Sequence, residues 1–311
     1  MLQHNTNFKK GWLVNDCLTC IPGTKTFWHF LLEGVPGLED KTMGHTPFSV
    51  LSSKIETQIE RVKEKPDYII RNATFFGSIN TKIPTISFLQ DPYIDNEYLF
   101  NQQINVCNKS NFVVYNSIYT ENLYKKFIKV PSKVINIGVD TNFFKSKKLN
   151  KNKNTIIFVG SSNEEFKRFS LVKKIINNTN YKFILVMKDD YSFKHPRVRF
   201  FNKIKQEKLV DLFSKADLLI CTSKKETLHL AGIEAAFCGV PIVASDVGVY
   251  SEIKEDKRWG AVVEENTVEC FINKIKQILE NNNLEPRKVM LENNLSIENT
   301  ILEWKKIIKE L

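Results

Sequence analysis

The sequence has no long apolar stretch. No apolar run approaches the roughly 18 residues that a membrane-spanning helix requires. The apolar residues 12–14 follow Lys9 and Lys10, as they would in a signal peptide, but Asn15 and Asp16 interrupt the segment too early for one. We therefore expect a soluble, cytoplasmic protein.

Cysteine, glycine and proline are also scarce, with 6, 12 and 10 copies among 311 residues. Glycine and proline at this level exclude a collagen-like chain. Cys17 and Cys20 are close in sequence, but a lone C-x-x-C lacks the second pair that a zinc site would need. A thioredoxin-like redox motif is one alternative, and reduced cysteines of a cytosolic protein are the interpretation that we favour.

The positive charge is spread along the chain. The net charge is +10, with 18 basic and 13 acidic residues in 1–148 and 27 and 22 in 149–311. Neither half is a dedicated basic arm. An even basic bias suits an anionic substrate, an anionic membrane surface or a nucleic acid.

Alternating strand and helix patterns predict an α/β protein with two domains. Predicted strands cover 12–14, 67–70, 84–89, 111–115, 134–137, 155–159, 182–187, 198–201, 217–221 and 241–244, and predicted helices cover 27–32, 49–64, 169–177, 206–215, 228–238, 267–280 and 297–311. Strands separated by helices favour parallel sheets covered on both faces. The polar segment 145–154 is the expected linker, which gives domains 1–147 and 148–295 and a final helix in 296–311.

Segment 217–248 carries the most chemical information. A predicted strand is followed by a polar loop with Glu226 and by a helix that starts near Leu228 or His229 and carries Glu234. A helix N-terminus suits a phosphate. Two glutamates eight residues apart, about 12 Å along a helix, can bind different parts of one extended ligand, and Glu234 can accept two hydrogen bonds from a ribose diol.

This segment resembles the E-x7-E signature of retaining GT-B glycosyltransferases, in particular family 4. Three further stretches resemble that family in the right order: Asn136–Asp140 with Phe143 and Phe144, Phe158–Gly160 with Lys167 and Arg168, and Asp217–Ser223. The resemblance covers 110–311 well and 1–110 loosely. It implies two Rossmann-like domains facing across a cleft, with a C-terminal helix that returns to the N-terminal domain.

The resemblance also implies roles for individual residues. Glu234 would bind the donor ribose, Glu226 would contact the transferred sugar, and Lys167 would neutralise the leaving diphosphate. Sugar transfer builds negative charge on the departing phosphate, so a fixed cation there stabilises the transition state. The full set of expected donor-binding residues is Gly160, Ser161, Lys167, Arg168, Thr227, Leu228, His229, Leu230 and Glu234.

The sequence departs from the family pattern at three donor-side positions. Ser161 stands where the family usually has an arginine, and Arg168 stands where it prefers glycine. Arg168 is therefore a candidate for the missing positive charge. His229 replaces a usual glycine, which either changes how closely the backbone approaches the ligand or adds a hydrogen-bond donor.

Two segments of the first domain are candidates for the acceptor side. Gln90 and Asp91 follow the strand at 84–89, where the family often has a histidine; Asp91 is a candidate catalytic base or acceptor contact, or simply a turn residue before a proline. Gly23 and Thr24 lie in a loop that resembles the family's glycine-rich loop under the donor phosphate.

We expect neither a metal ion nor a cofactor besides the nucleotide-sugar donor. Asp189 and Asp190 lack the spacing of the D-x-D metal site of the other glycosyltransferase fold. The resemblance implies that lysine and a helix end replace the cation.

The expected function is that of a retaining glycosyltransferase that uses a UDP-, GDP- or ADP-sugar. Its acceptor would be a glycan, a lipid-linked sugar or another hydroxyl, and an anionic membrane surface is one place where such an acceptor would lie. A nucleic acid with a hydroxylated base is an alternative acceptor, because the chain is basic. A nucleotide-sugar-binding module without activity is the third alternative, because Ser161 and His229 depart from the family. The sequence carries no signal for an oligomeric state.

Overall fold

The computed structural model describes residues 9–14, 27–41, 48–73, 77–147, 154–190 and 194–311, with the backbone alone for 48–53. The chain divides into two compact units. The N-terminal unit comprises Met1–Ile137 and Ile297–Leu311, and the C-terminal unit comprises Gly138–Ser296.

Strands and helices alternate along most of the described chain. The strands are β1 (Gly11–Val14), β2 (Leu38–Asp40), β3 (Tyr68–Asn72), β4 (Thr85–Leu89), β5 (Phe112–Tyr115), β6 (Ser132–Val134), β7 (Thr155–Gly160), β8 (Lys182–Met187), β9 (Val198–Asn202), β10 (Leu218–Cys221), β11 (Ile242–Ser245) and β12 (Gly260–Val263). The helices are α1 (Phe27–Gly34), α2 (Phe48–Arg61), α3 (Glu97–Asn108), α4 (Ile118–Tyr124), α5 (Phe169–Asn177), α6 (Gln206–Phe213), α7 (Leu230–Phe237), α8 (Val249–Ile253), α9 (Val268–Leu279), α10 (Pro286–Glu292) and α11 (Ile297–Glu310). A 3₁₀ turn, Glu165–Lys167, precedes α5.

The described strands of the N-terminal unit form one parallel sheet in the order β2-β1-β3-β4-β5-β6. The central strands β3 and β4 are buried throughout, as expected for strands covered on both faces. Helix α11 belongs to this unit: the Trp304 ring lies 6.3 Å from Phe27 and 5.6 Å from Phe88, and Thr300 Oγ1 donates to the Asn136 carbonyl at 2.8 Å. The C-terminal helix therefore packs with the N-terminal unit, as the resemblance implies.

The described strands of the C-terminal unit form a second parallel sheet, in the order β12-β11-β10-β7-β8-β9. Numbered within the unit, this is the strand order of a Rossmann fold, and the winding reverses between β7 and β10. Helices α5 and α9 bury apolar faces against the sheet, among them Val172, Ile175, Phe271 and Ile275. The predicted fold class, α/β with two Rossmann-like domains, is confirmed.

The boundary between the units lies earlier than the predicted boundary at 147. The backbone of Val139 pairs with Ser296, and its N–H donates to the Leu295 carbonyl at 2.9 Å. Further on, the Lys147 N–H donates to Ser214 Oγ at 3.0 Å. Residues 138–147 are thus attached to the C-terminal unit, because a polar composition marks a solvated surface and not the point at which a chain changes domain. The rest of the predicted linker, 148–153, lies outside the described residues.

Other differences concern short elements. The predicted strand at 134–137 corresponds to β6, Ser132–Val134, which is an edge strand. Its first two residues are exposed and polar but already pair with β5, so the strand begins two residues earlier than predicted. Sequence patterning also misses β2, β12, α3, α4, α8 and α10. Most of these are too short for a periodic pattern to develop. Helix α7 begins at Leu230, slightly later than predicted.

Candidate functional site

The candidate donor site lies where the loops after β7 and β10 meet in the C-terminal unit. These strands are neighbours, with Leu219 beside Ile157, so their carboxyl ends share one edge of the sheet. The loops are joined directly: the Lys224 N–H donates to the Phe166 carbonyl at 2.6 Å. Ligands of open α/β sheets bind at such a reversal of strand order, beyond the carboxyl ends of the strands.

Ser161 shapes the loop after β7. Its side chain is buried, and its Oγ accepts hydrogen bonds from the N–H groups of Asn163 (3.1 Å) and Glu164 (3.3 Å). The Ser162 N–H donates to Asp189 Oδ1 at 3.0 Å. The hydroxyl at the position of the family's arginine therefore caps a turn, and the Asp189 carboxylate holds the same turn in place.

Lys167 and Glu226 form an ion pair across the two loops. Lys167 Nζ lies 2.6 Å from Glu226 Oε1, with side-chain exposures of 17% and 11%. Ser223 Oγ donates to the same carboxylate oxygen at 2.7 Å. The structure thus brings together two of the three predicted catalytic residues, and it orders the carboxylate before any ligand arrives.

The surroundings of Glu226 keep its carboxyl ionised. Burial raises the pKa of this group. The positive charge that the neighbouring His229 carries only in acid, and the ammonium of Lys167, lower it by more, so the net shift of the pKa is downward. At neutral pH Glu226 is therefore a carboxylate, and it accepts a hydrogen bond from Lys167 Nζ.

Arg168 is engaged by protein oxygen atoms. Its Nε donates to the Thr222 carbonyl at 2.5 Å, and its Nη2 lies within 2.9 Å of the Ser223 carbonyl and 2.8 Å of both Ser245 Oγ and Asn266 Oδ1. Burial lowers the pKa of the guanidinium, and no anion in this set of contacts compensates. Arg168 was expected to supply positive charge to the donor phosphate. A phosphate would have to compete with these four hydrogen bonds for the guanidinium.

His229 is the residue before α7 and has left-handed backbone angles, φ 65° and ψ 64°. Its ring is buried, and Nδ1 lies 2.6 Å from the hydroxyl of Tyr250, which stacks on Trp259 at 5.1 Å. A Cβ on Gly232 would lie 1.7 Å from that hydroxyl, so glycine makes room for the pair. Burial lowers the pKa of His229 to about 4, which keeps the imidazole neutral at pH 7.

The start of α7 is exposed on one side and packed on the other. Leu228 is buried, Thr227 is half-buried and Leu230 is exposed, while the side chain of His229 makes no capping hydrogen bond to the first turn. Gly248, at φ 54°, passes close behind this loop: a Cβ there would lie 3.1 Å from the Leu228 carbonyl carbon. The first turn of α7 therefore follows directly on the loop that carries Glu226, and the His229 side chain does not cap its N–H groups.

Two further predicted donor residues sit close by in the chain. Gly160 ends β7, and a Cβ there would lie 2.7 Å from the buried Phe158 ring, so a side chain at this position would require that ring to shift. Glu234 lies in the second turn of α7 and is half-buried. Burial raises the pKa of its carboxyl to about 8, with no hydrogen bond or cation in the described part of the chain to oppose the shift.

Three potential metal ligands also meet in this site. One ligating atom each from Cys221, Glu226 and His229 lies within 4.8 Å of the others. Such a thiol, carboxylate and imidazole set suits zinc, with an open fourth position. Burial raises the pKa of the Cys221 thiol to about 12, and Lys167 already holds Glu226, so a metal would have to displace both a proton and an ammonium. Sequence spacing alone does not reveal this group.

The residues predicted for the acceptor side belong to the N-terminal unit. Asn116 Nδ2 donates to the Gln90 carbonyl at 3.0 Å, and Gln103 Nε2 donates to the Asp91 carbonyl at 2.8 Å, which fixes the backbone after β4. Asp91 as a whole is exposed, although protein atoms that crowd its carboxyl raise the pKa of this group. Gly23 and Thr24, like Cys17 and Cys20, lie outside the described residues.

Several contributors to the site are absent from the sequence prediction. Ser223 bonds Glu226, Tyr250 bonds His229, and Ser245 and Asn266 bond Arg168. The signal for these residues is positional: each follows or ends a strand of the parallel sheet or starts the next helix. Which of these loop residues meet depends on the strand order, which the sequence does not state.

A sequence model of the family "Glycosyl transferases group 1" matches residues 139–295. That is half of the chain, and the chain belongs to this family. The D-inositol 3-phosphate glycosyltransferase 2 of Catenulispora acidiphila is 38% identical over 66 residues, which is 21% of this chain and 16% of that protein. The matches span less than a third of the length of the curated relatives.

Solved glycosyltransferase structures share the whole fold. Sucrose-phosphate synthase from Thermosynechococcus elongatus has a TM-score of 0.82 at 14% identity, over 97% of this chain and 98% of its own. Anabaena HepE in complex with UDP and glucose has a TM-score of 0.75 at 16% identity, over 97% and 100%. At such low identity these similarities show the fold, which is GT-B. Family and relatives together support the predicted class of enzyme, a glycosyltransferase.

No helix within the described ranges is long and apolar enough to cross a membrane.

Proposed function

We propose that the protein is a retaining, family 4-like glycosyltransferase that takes a sugar from a nucleotide-diphosphate sugar. The ion pair of Lys167 and Glu226 beside the start of α7 carries this proposal. It combines a cation, a carboxylate and the N-terminus of a helix at the strand-order reversal of a Rossmann-like sheet. Glu226 and Glu234 keep the E-x7-E spacing.

The diphosphate would bind between Lys167 and the first turn of α7. Negative charge grows on the leaving phosphate as its bond to the sugar breaks, and a fixed ammonium and oriented N–H groups stabilise that charge. In the free protein Lys167 bonds the Glu226 carboxylate. An incoming diphosphate would therefore exchange one anion for another at the ammonium, and Glu226 would be released toward the transferred sugar.

The ribose would bind Glu234. A diol donates two hydrogen bonds best to an ionised carboxylate, whereas the pKa of about 8 leaves this group largely protonated in the free protein at neutral pH. Binding would therefore release a proton. HepE binds UDP and UDP-glucose in its solved complexes, which makes uridine diphosphate sugars the first donors to test.

The acceptor would be a hydroxyl compound, with Asp91 of the N-terminal unit as its contact or base. The relative from Catenulispora acidiphila is named as a D-inositol 3-phosphate glycosyltransferase, so this phosphorylated polyol belongs beside glycans and lipid-linked sugars among the acceptors to try. The net charge of +10 suits an anionic acceptor of this kind.

Thermal unfolding with nucleotides tests the donor site. UDP, GDP, ADP and TDP and their sugar conjugates are added to the wild type, to Glu234→Ala and to Glu269→Ala, a control with an exposed glutamate of α9. A ligand at 100 times its Kd stabilises by about 2.7 kcal/mol. We expect one nucleotide to raise Tm in the wild type and the control but not in Glu234→Ala.

No shift with any nucleotide would overturn the donor-site proposal. A shift without transfer to any acceptor would instead favour the binding module that lacks activity. That alternative has its own observation, because Lys167 and Arg168 are both already bonded to protein groups.

A further inference from the structure

Arg168 occupies a backbone position that favours glycine. It joins the 3₁₀ turn to α5 with φ 49° and ψ 47°, a left-handed conformation that is strained for a residue with a Cβ. Glycine would adopt these angles without strain. The backbone therefore offers no reason for arginine here, and the reason must lie in the side chain.

The guanidinium ties together loops from four strands. Arg168 itself follows β7. Its acceptors are the carbonyls of Thr222 and Ser223 after β10, the hydroxyl of Ser245 at the end of β11, and the amide oxygen of Asn266 after β12. One planar group thus fixes the relative positions of every loop on this side of the strand-order reversal.

The connection between β7 and β10 runs in both directions. While Arg168 donates to the carbonyls of Thr222 and Ser223, Thr222 Oγ1 donates to the Lys167 carbonyl at 2.7 Å. Lys167 is the neighbour of Arg168 in sequence, and Glu226 lies three residues beyond Ser223. The two hydrogen-bonded connections therefore join the loop segments that carry Lys167 and Glu226, whose side chains form the 2.6 Å ion pair.

We propose that Arg168 is a positioning residue: its guanidinium holds the loop after β10 so that Glu226 and Lys167 are aligned for the reaction, and it does not bind the donor phosphate. This inference rests on the proposed glycosyltransferase function. It gives Arg168 a role other than replacing the arginine that the family usually has at the position of Ser161.

Lysine cannot take over this role. Nε and Nη2 of Arg168 donate in fixed directions that the planar guanidinium sets, whereas a lysine ammonium is a single point with three rotating donors. A phosphate contact, in contrast, needs mainly the charge, which lysine supplies. The pair Arg168→Gly and Arg168→Lys therefore separates alignment from charge.

Kinetics with the donor sugar provide the first test, with Lys203→Gly as a matched control. Lys203 is another basic residue with left-handed angles, φ 47°, and its ammonium bonds Asp190 at the surface, 2.8 Å away. We expect both Arg168→Gly and Arg168→Lys to lower kcat at least tenfold, with the Kd for the nucleoside diphosphate changed less than threefold. Lys203→Gly keeps both values.

Two results would overturn the proposal. One is an Arg168→Lys variant with the kcat of the wild type. The other is an Arg168→Gly variant whose loss lies in nucleotide affinity and is restored by lysine, which would make Arg168 a phosphate ligand.

Hydrogen exchange of the free protein tests the alignment without any substrate. Arg168→Gly removes both the strain and the bonds, so we expect little change in Tm but at least tenfold faster amide exchange in residues 222–228. Unchanged exchange there contradicts the positioning role. If the wild type neither binds nor turns over nucleotide sugars, the proposed function fails, while the exchange experiment still decides whether Arg168 orders the loop.

Discussion

The two units have similar parallel sheets, but the family match covers only the C-terminal unit. Strand order reverses between β7 and β10 in the C-terminal unit and around β1 and β3 in the N-terminal unit. At the first reversal, one ion pair and the Arg168 hydrogen bonds connect the loops. The family model begins and ends within one residue of the C-terminal unit's own boundaries.

The architecture that the two units share is therefore not what identifies the family at the level of sequence. Both units satisfy the same rules for parallel sheets, yet the matched residues stop where the C-terminal unit stops. The family match therefore follows residues that are particular to the C-terminal unit, which include the loops after β7 and β10.

Removing the ammonium of Lys167 should have the largest effect on the C-terminal unit's chemistry. We expect Lys167→Ala to lower kcat/KM about 100- to 1000-fold, the typical loss of one group that stabilises a leaving oxyanion. Initial rates with the donor identified by thermal unfolding measure this. Lys188→Ala, which removes an ammonium that is 79% exposed, is the control. If Lys167→Ala and Lys188→Ala had equal rates, the ion pair of Lys167 and Glu226 would have no part in the mechanism.

The pH dependence of nucleotide affinity should come next. If the ribose requires the ionised form of Glu234, the group must lose its proton on binding below its pKa of about 8. Affinity should then fall about tenfold for each pH unit below 8 and level off above it. Calorimetric titration between pH 6 and 9 measures this, together with the proton released.

Glu234→Gln provides the matching variant, since an amide does not titrate. Its affinity should be low and flat across the same pH range. A wild-type affinity that does not change with pH would contradict the ribose role of an ionised Glu234.

The His229–Tyr250 pair should matter mainly for stability. Tyr250→Phe keeps the stacking on Trp259 but leaves a buried Nδ1 without its hydroxyl partner. We expect the free energy of unfolding to fall by about 1–3 kcal/mol, measured by urea titration. Tyr98→Phe, at a hydroxyl-bearing residue that is 70% exposed, should change nothing. If Tyr250→Phe had the same free energy of unfolding as the wild type, the hydrogen bond between His229 and Tyr250 would make no net contribution to stability.

The smallest effect on donor binding should come from the N-terminal unit. Asp91→Asn should leave the Kd for the nucleoside diphosphate within twofold of the wild type and lower turnover with an acceptor, because Asp91 is proposed to act on the acceptor hydroxyl. A fall in nucleotide affinity as large as that of Glu234→Ala would break the division of labour between the units.

Much of the C-terminal unit was predictable because its strands are long apolar runs with helical patterns between them. The predicted strand at 182–187 is β8, and the predicted helix at 169–177 is α5. Three elements were nevertheless missed in each unit: β2, α3 and α4 in the N-terminal unit, and β12, α8 and α10 in the C-terminal unit. Helix α3 has a mixed surface, and β2 ends in two exposed acidic residues, so neither produces a clear period.

The candidate site shows the same division. Lys167, Glu226 and Glu234 are candidates from the sequence because they stand in motifs with a fixed spacing, and the structure brings the first two together. Ser161 and Arg168 were identified as departures, but their partners were not, since a bond such as Arg168 to Asn266 joins residues 98 positions apart. No local pattern carries that information.

By itself, the sequence determined the two-domain α/β architecture and identified the two segments whose Lys167 and Glu226 form an ion pair, because these inferences depend on local periodicity and motif spacing. The tertiary structure alone decided which loops meet, that Arg168 bonds four protein oxygens, that His229 is a neutral partner of Tyr250, and that burial raises the pKa of Glu234. Hydrogen-bond partners and pKa values follow from distance and burial, which exist only once strand order has brought distant loops together.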